Sequence, residues 1–188
     1  MPPKVKITKE EITAAALELL RRRGMEAINA RAVAKELGCS TQPIFSNYST
    51  MTELFADVLA AAYTEYSQWT GQQMKMGRYP PYKASGMAYI SFARQQPELF
   101  RVLFMRDRRE EAPQAEDDFT RSIIAVLMEK SGLNEQDARM LHLEMWIFVH
   151  GVASMLVTGY LDLDEEIVSK MLTEQYFGLL QRKKENAK

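Results

Sequence analysis

The chain holds one cysteine, Cys39, in 188 residues. That excludes an internal disulfide, and a lone thiol fits a reducing cytoplasm. Histidine is nearly as scarce: His142 and His150 stand eight positions apart with Glu144 nearby. No His/Cys/carboxylate group reaches metal-ligand spacing, so neither a metal nor any other cofactor is expected. There is no glycine-rich phosphate loop and no nucleophile beside a base, so no enzyme is expected. The N-terminus lacks a charged-then-apolar leader pattern. The longest apolar stretch, Met145 to Val157, is interrupted by His150, Gly151 and Ser154 and falls short of the ~20 residues of a membrane span. A soluble cytoplasmic protein is expected, with no membrane partner. Charge of one sign is also missing, since the formal net charge is −1. The charges are nevertheless unevenly spread. Residues 1–50 hold eight Lys/Arg and five Glu, a surplus of three; the other 16 basic and 20 acidic residues leave a deficit of four. A basic head on an acidic body suits a nucleic-acid-contacting end.

Hydrophobic residues make up 46% of the chain, enough for a sizeable core. Strand-like alternation is absent, repeats are absent, and almost every segment has helical periodicity. Thr8 to Glu11 forms a capping box before an apolar stripe of Ile12, Ala15, Ala16, Leu19 and Leu20, and Gly24 stops it, so the first helix is predicted at 9–23. Asn29 caps a second helix that turns Val33, Ala34 and Leu37 inward and ends at Gly38. Ser40 is expected to cap a third, with Pro43 as its third residue. Thr50 to Glu53 is another capping box, opening a long fourth helix that buries Leu54, Phe55, Val58, Leu59, Ala62, Tyr66 and Trp69. A break is expected from Gly71 to Pro81. Further helices are predicted at 82–95, 98–105, about 114–131, 135–159 with Asn134 as cap, and about 165–184.

The stretch Gly38 to Tyr48 lies between two such patterns. A short helix, a glycine turn and a second short helix that starts on small polar residues is the layout of a helix-turn-helix DNA reader. Its second helix enters the major groove, where all four base pairs are distinguishable. The residues Arg31-Ala32-Val33-Ala34-Lys35-Glu36-Leu37-Gly38-Cys39-Ser40, then Ile44-Phe45-Ser46-Asn47-Tyr48 and Thr50-Met51-Thr52-Glu53-Leu54-Phe55, resemble the DNA-binding domain of the TetR family of bacterial transcriptional regulators. The resemblance covers about residues 8–60. Phe92 to Phe100 and Trp146 to Gly151 resemble one subgroup of the family's variable helical C-terminal domains. The family usually has a Lys, reaching a DNA phosphate, where Met51 stands; here the backbone N–H groups of the capped helix end remain for that role.

Thr41, Gln42 and Pro43 are the expected base readers at the exposed start of the reading helix. Gln can bond adenine N6/N7, and Thr and Pro can touch a thymine methyl. Arg31, Ser40, Ser46, Asn47, Tyr48 and Thr50 are expected on the DNA backbone, although Tyr48 can equally pack in the core. Phe45 is placed with them, at a position where the family often has a Tyr whose hydroxyl meets a phosphate; Phe cannot make that bond. Lys4 and Lys6 can form a DNA-touching arm or an ordinary basic terminus. Cys39 reads as a buried small hydrophobe rather than a redox sensor. His150 reads as a hydrogen-bonded core histidine or as the polar group that orients a ligand. Twelve Met, eight Tyr, eight Phe and two Trp are mostly core, but such side chains also make adaptable pocket walls. Tyr66, Trp69, Tyr89, Phe92, Phe104, Trp146 and His150 are the expected lining.

The resulting expectation is an all-α protein of about nine helices. A helix-turn-helix domain at 1–50 leads into a helical effector-binding and dimerisation domain at 51–188. The function read from this is sequence-specific binding of a palindromic double-stranded operator by a homodimer built on the last two long helices. Repression released by a small hydrophobic or amphipathic effector is expected. The rival readings are a helical small-molecule-binding protein or enzyme using the apolar cavity, and a protein-interaction scaffold.

Overall fold

The computed structural model describes residues 7–109 and 118–186. Lys4 and Lys6, and residues 114–117 of the expected seventh helix, lie outside them. Among the described residues there are nine α-helices and no strand. They fall into two compact units.

The first unit takes in the chain to Gln68 and returns for Gln96–Arg106. It therefore continues past residue 50, the division expected from the sequence. It opens on α1 (Lys9–Arg23). Thr8 Oγ1 accepts from Glu11 N at 3.2 Å, and Glu11 Oε2 accepts from Thr8 N at 2.8 Å. Both bonds satisfy N–H groups that a helix start leaves orphaned. Ile12, Ala16 and Leu20 on its inner face are fully buried. Gly24 ends it at φ 78, and a Cβ there would stand 2.9 Å from Glu98 Oε2. A short 3-10 turn, Met25–Ala27, which the sequence pattern does not announce, leads to α2 (Ala30–Glu36). Asn29 Oδ1 caps α2 by accepting from Ala32 N at 3.0 Å. Next come α3 (Gln42–Asn47) and α4 (Met51–Lys75), and later in the chain α6 (Pro97–Phe104). Arg21 ties three of these helices. Its guanidinium holds both Glu65 oxygens at 2.8 Å and Gln96 Oε1 at 3.1 Å.

The expected break at Gly71 is corrected, because α4 runs through it to Lys75. An interior glycine costs only about 1 kcal/mol relative to alanine. Thr70 beside it is 4% exposed and Trp69 is half-buried, so packing outweighs that cost. The chain turns only at Gly77, with φ 64.

The second unit comprises Trp69–Gln95 and the chain from Asp107. It holds the end of α4, α5 (Pro81–Gln95), α7 (Asp118–Ser131), α8 (Glu135–Val157) and α9 (Glu165–Asn186). α5 is its centre, packing on α8, α9 and α7. Ala88, Phe92 and Ala93 of α5 and Leu141 and Ala153 of α8 are at most 1% exposed. Asn134 caps α8, its Oδ1 accepting from Asp137 N at 2.9 Å. α8 is apolar beyond what this packing uses. Met140, Leu143, Trp146, Ile147 and Met155 are all more than 40% exposed. α8 is 23 residues long and its most apolar 18 residues have a mean hydropathy of 1.5, enough to cross a membrane by length and composition alone. The sequence reading measured only the run 145–157 and did not see this.

Candidate nucleic-acid interface

The turn before the reading helix has a defined geometry. Gly38 N donates to Lys35 O at 3.2 Å and Cys39 N to Ala34 O at 2.9 Å, with Gly38 at φ 64. This pair of bonds around a left-handed residue closes a helix end and reverses the chain. Cys39 is half-buried in that turn rather than fully buried. The expected Ser40 cap is corrected: Thr41 precedes α3 at φ −73, ψ −11, and no side chain caps the helix. The Thr41 carbonyl instead accepts from Ile44 N at 3.2 Å and Phe45 N at 3.3 Å. Pro43, second in α3, has no N–H to satisfy.

On α3, Ile44 is fully buried and anchors the inner face, while Gln42, Phe45 and Ser46 are exposed. Thr41 and Pro43 are half-buried. Of the side chains expected on the DNA backbone, Arg31, Ser40, Ser46 and Thr50 are exposed. Arg21 and Arg22 are held in ion pairs by Glu18, Glu65 and Glu36; none of the described ion pairs engages Arg31. Thr50 Oγ1 accepts from Glu53 N at 3.2 Å, and Glu53 Oε2 accepts from Ser49 N at 2.8 Å, which closes the start of α4. Asn47 Nδ2 donates to Pro43 O at 2.8 Å and Ile7 O at 3.2 Å, tying the reading helix to the residues before α1.

Of the two places open to Tyr48 in the sequence, it takes the core. It is 1% exposed. Its hydroxyl lies 2.7 Å from Thr13 Oγ1 and donates to Asp57 Oδ2 at 2.9 Å. Burial pushes the phenol up, with the Thr13 bond opposing and Asp57 adding. Lys9 completes the cluster, 4.5 Å over the ring and 3.6 Å from Asp57. Tyr48 therefore joins α1, α3 and α4 from inside and presents no hydroxyl to a phosphate. Sequence reasoning missed Thr13 and Asp57 because they stand 35 and nine residues from Tyr48, with no local pattern linking them.

Residues 12–58 match the family described as bacterial regulatory proteins, tetR family. Residues 82–175 match the tetracyclin repressor-like C-terminal domain. The chain belongs to the TetR family of transcriptional regulators. No curated protein matches it. The helix-turn-helix is thus the DNA-binding part of a TetR-family regulator, and the α3 face that carries Gln42, Phe45 and Ser46 is exposed.

The second match falls on the region where an effector site was expected. The seven expected lining residues form three aromatic groups. In the first unit, Tyr66 meets Phe104 edge-on, centroids 5.0 Å apart. In the second unit, Trp69 Nε1 donates to Ser91 Oγ at 3.1 Å, and its ring lies 6.2 Å from that of Phe92. Also in that unit, Tyr89 Oη is 2.9 Å from His150 Nδ1, and Trp146 stacks on the imidazole at 5.4 Å. Burial lowers the His150 pKa. Trp146 is 47% exposed and borders an open groove of about 240 Å³ with Thr120, Ile124 and His142, not an enclosed chamber. Thr70, beside Trp69, was missed: its buried hydroxyl has no hydrogen-bond partner among the described residues. A buried orphan of this kind calls for an explanation.

Proposed function

We propose that this TetR-family protein is a homodimeric repressor that binds a palindromic operator and is released by a small hydrophobic or amphipathic effector. The observation that carries the DNA reading is the outward face of α3, with Gln42 exposed on a reader whose opposite side is locked by Ile44 and Tyr48. Thr41, Gln42 and Pro43 contact bases; Arg31, Ser40 and Thr50 hold phosphates, while the Ser46 hydroxyl already donates to Gln42 O. Dimerisation is supported by the apolar faces of α8 and α9, where Ile147 and Phe177 are 58% and 60% exposed. Two helices from each subunit make a four-helix contact with C2 symmetry. Effector binding is supported by two features of α4 and its neighbour, the Trp69–Phe92 ring pair and the buried Thr70 hydroxyl without a partner, which follows Trp69 in sequence. Control passes along α4, whose 25 residues span about 37 Å. An effector releases DNA only if it binds more tightly to the conformation whose reading heads are wrongly spaced.

The test begins with selection of bound duplexes from a randomised pool. Gln42→Ala should lose about 1–3 kcal/mol and relax preference at one base pair per half-site. Full affinity and unchanged preference would remove α3 as the reader. Transcription from a promoter carrying the selected site should fall on adding protein, and a rise would make it an activator. A screened compound that releases the DNA should act less on Trp69→Ala; an equal response would move the effector site elsewhere.

A further inference from the structure

Phe45 is the one large apolar side chain that α3 exposes. It is 55% exposed, whereas its neighbours Ile44 and Tyr48 are 0% and 1%. It shares the outward face with Gln42 and Ser46, at one-turn spacing from Gln42. The sequence reading put it on the DNA backbone, yet phosphate contact needs a donor, and a phenyl ring has none. A phenyl ring more than half exposed on a six-residue reading helix leaves most of its apolar surface in water. The major groove offers one apolar group, the C5-methyl of thymine. Ser46 beside it has turned its hydroxyl back to Gln42 O at 2.9 Å, so the polar neighbour does not compete for that patch.

We propose that Phe45 is a specificity-determining base contact, packing its ring against a thymine methyl in each half-site. The proposal rests on the DNA-binding reading of α3 and adds a thymine requirement to it. Gln42 and Phe45 then read neighbouring bases, one by hydrogen bonds and one by apolar contact.

The experiment uses the full-length protein and the tightest duplex recovered from the randomised pool. Each thymine is replaced in turn by deoxyuridine, which deletes only the methyl. For the unaltered protein one thymine position per half-site should show about fourfold weaker binding, and about fifteenfold when both half-sites are changed, the scale of one buried methyl-sized group. Phe45→Ala should bind the thymine and uracil duplexes equally at that position. Phe45→Leu, which restores an apolar side chain, should regain part of the difference. If no position discriminates, or if Phe45→Ala keeps the discrimination, the contact belongs to Thr41 or Pro43 or does not exist, and the proposal is overturned. If discrimination is lost only in Gln42→Ala, Phe45 is likewise excluded. Failure of the pool to yield any bound duplex would instead sink the DNA-binding reading itself, and this one with it.

Discussion

Replacing Tyr48 by Phe removes one oxygen from the centre of the first unit and leaves the ring in place. The ring is 1% exposed, so the apolar burial is kept and the change isolates the hydroxyl. Its bond to the Asp57 carboxylate at 2.9 Å and its contact with Thr13 Oγ1 at 2.7 Å are lost. Asp57 is 44% exposed and keeps Lys9 at 3.6 Å, so water and the ammonium recover part of that loss. Thr13 keeps its bond to Lys9 O at 2.9 Å. A typical net bond is worth about 1 kcal/mol, somewhat more to a charged group. The expected cost is therefore about 1–2 kcal/mol, read as a lower urea midpoint with unchanged slope at fixed protein concentration. DNA binding offers the complementary measurement. A residue that touches phosphate changes the slope of affinity against salt, and a core residue does not. Phe at position 48 should leave that slope unchanged, measured below the temperature at which the variant unfolds. A reduced slope with unaltered stability would refute the core assignment and restore the phosphate contact.

Gly38→Ala should cost about 1–2 kcal/mol, because φ 64 is left-handed and nothing lies within 4 Å of the added Cβ to cause a clash; stability equal to the original in urea would mean that the turn relaxes. His150 has a lowered pKa from burial, so the unfolded chain takes the proton first as pH falls. Stability should therefore drop as the pH goes below about 6.5, levelling once the folded form also titrates, and His150→Gln should flatten that part of a thermal-denaturation profile against pH. Ile147→Glu places a charge on the exposed apolar face of α8 and should dissociate a dimer that buries it, seen as a monomer by sedimentation at micromolar concentration. A dimer that survives would put the interface on another face.

Local chemistry was the part of this fold legible in the sequence. Thr8 with Glu11, Asn29 and Asn134 cap helices as expected because a capping bond joins residues three apart. Gly24 and Gly38 end helices where the pattern said, since both adopt positive φ. The misreadings arose where distant parts of the chain decide. Gly71 looks like a stop in sequence, but the burial of Thr70 holds the helix through it. Ser40 looks like a cap, but the Gly38 turn spends the next residues reversing the chain, and Thr41 takes the position. Periodicity placed Tyr48 near the reader but could not say whether its hydroxyl would meet a phosphate or, as it does, donate to Asp57 inside the core. For the effector residues the same limit applied: helical spacing gathered seven aromatic and imidazole side chains into one list, and packing divided them into three groups.

α8 shows how the two scales of reading combine. Its composition passes a length-and-hydropathy test for a membrane span, yet only 28% of that apolar window is buried within the chain. Lipid and a second copy would both cover the remaining surface, but they place different demands on its polar groups. Glu144 is only part-buried and lies 3.4 Å from Lys183 and 3.6 Å from Arg182 on α9, with Arg139 paired to Glu135 one turn from the helix start. In hydrocarbon these charges would be costly, and they would mark a pathway or a pore that needs further spans. In water they form the ordinary rim around an apolar strip, the arrangement of a protein interface. The same strip, Leu143, Trp146, Ile147 and Met155, recurs on the outward side at helical spacing while Leu141, Met145, Val149 and Val152 fill the inward side. A helix apolar on two opposite faces is sandwiched, and one chain supplies only one slice. The proposed C2 dimer supplies the other, and it also gives a helix-turn-helix regulator the two reading heads that a palindrome requires.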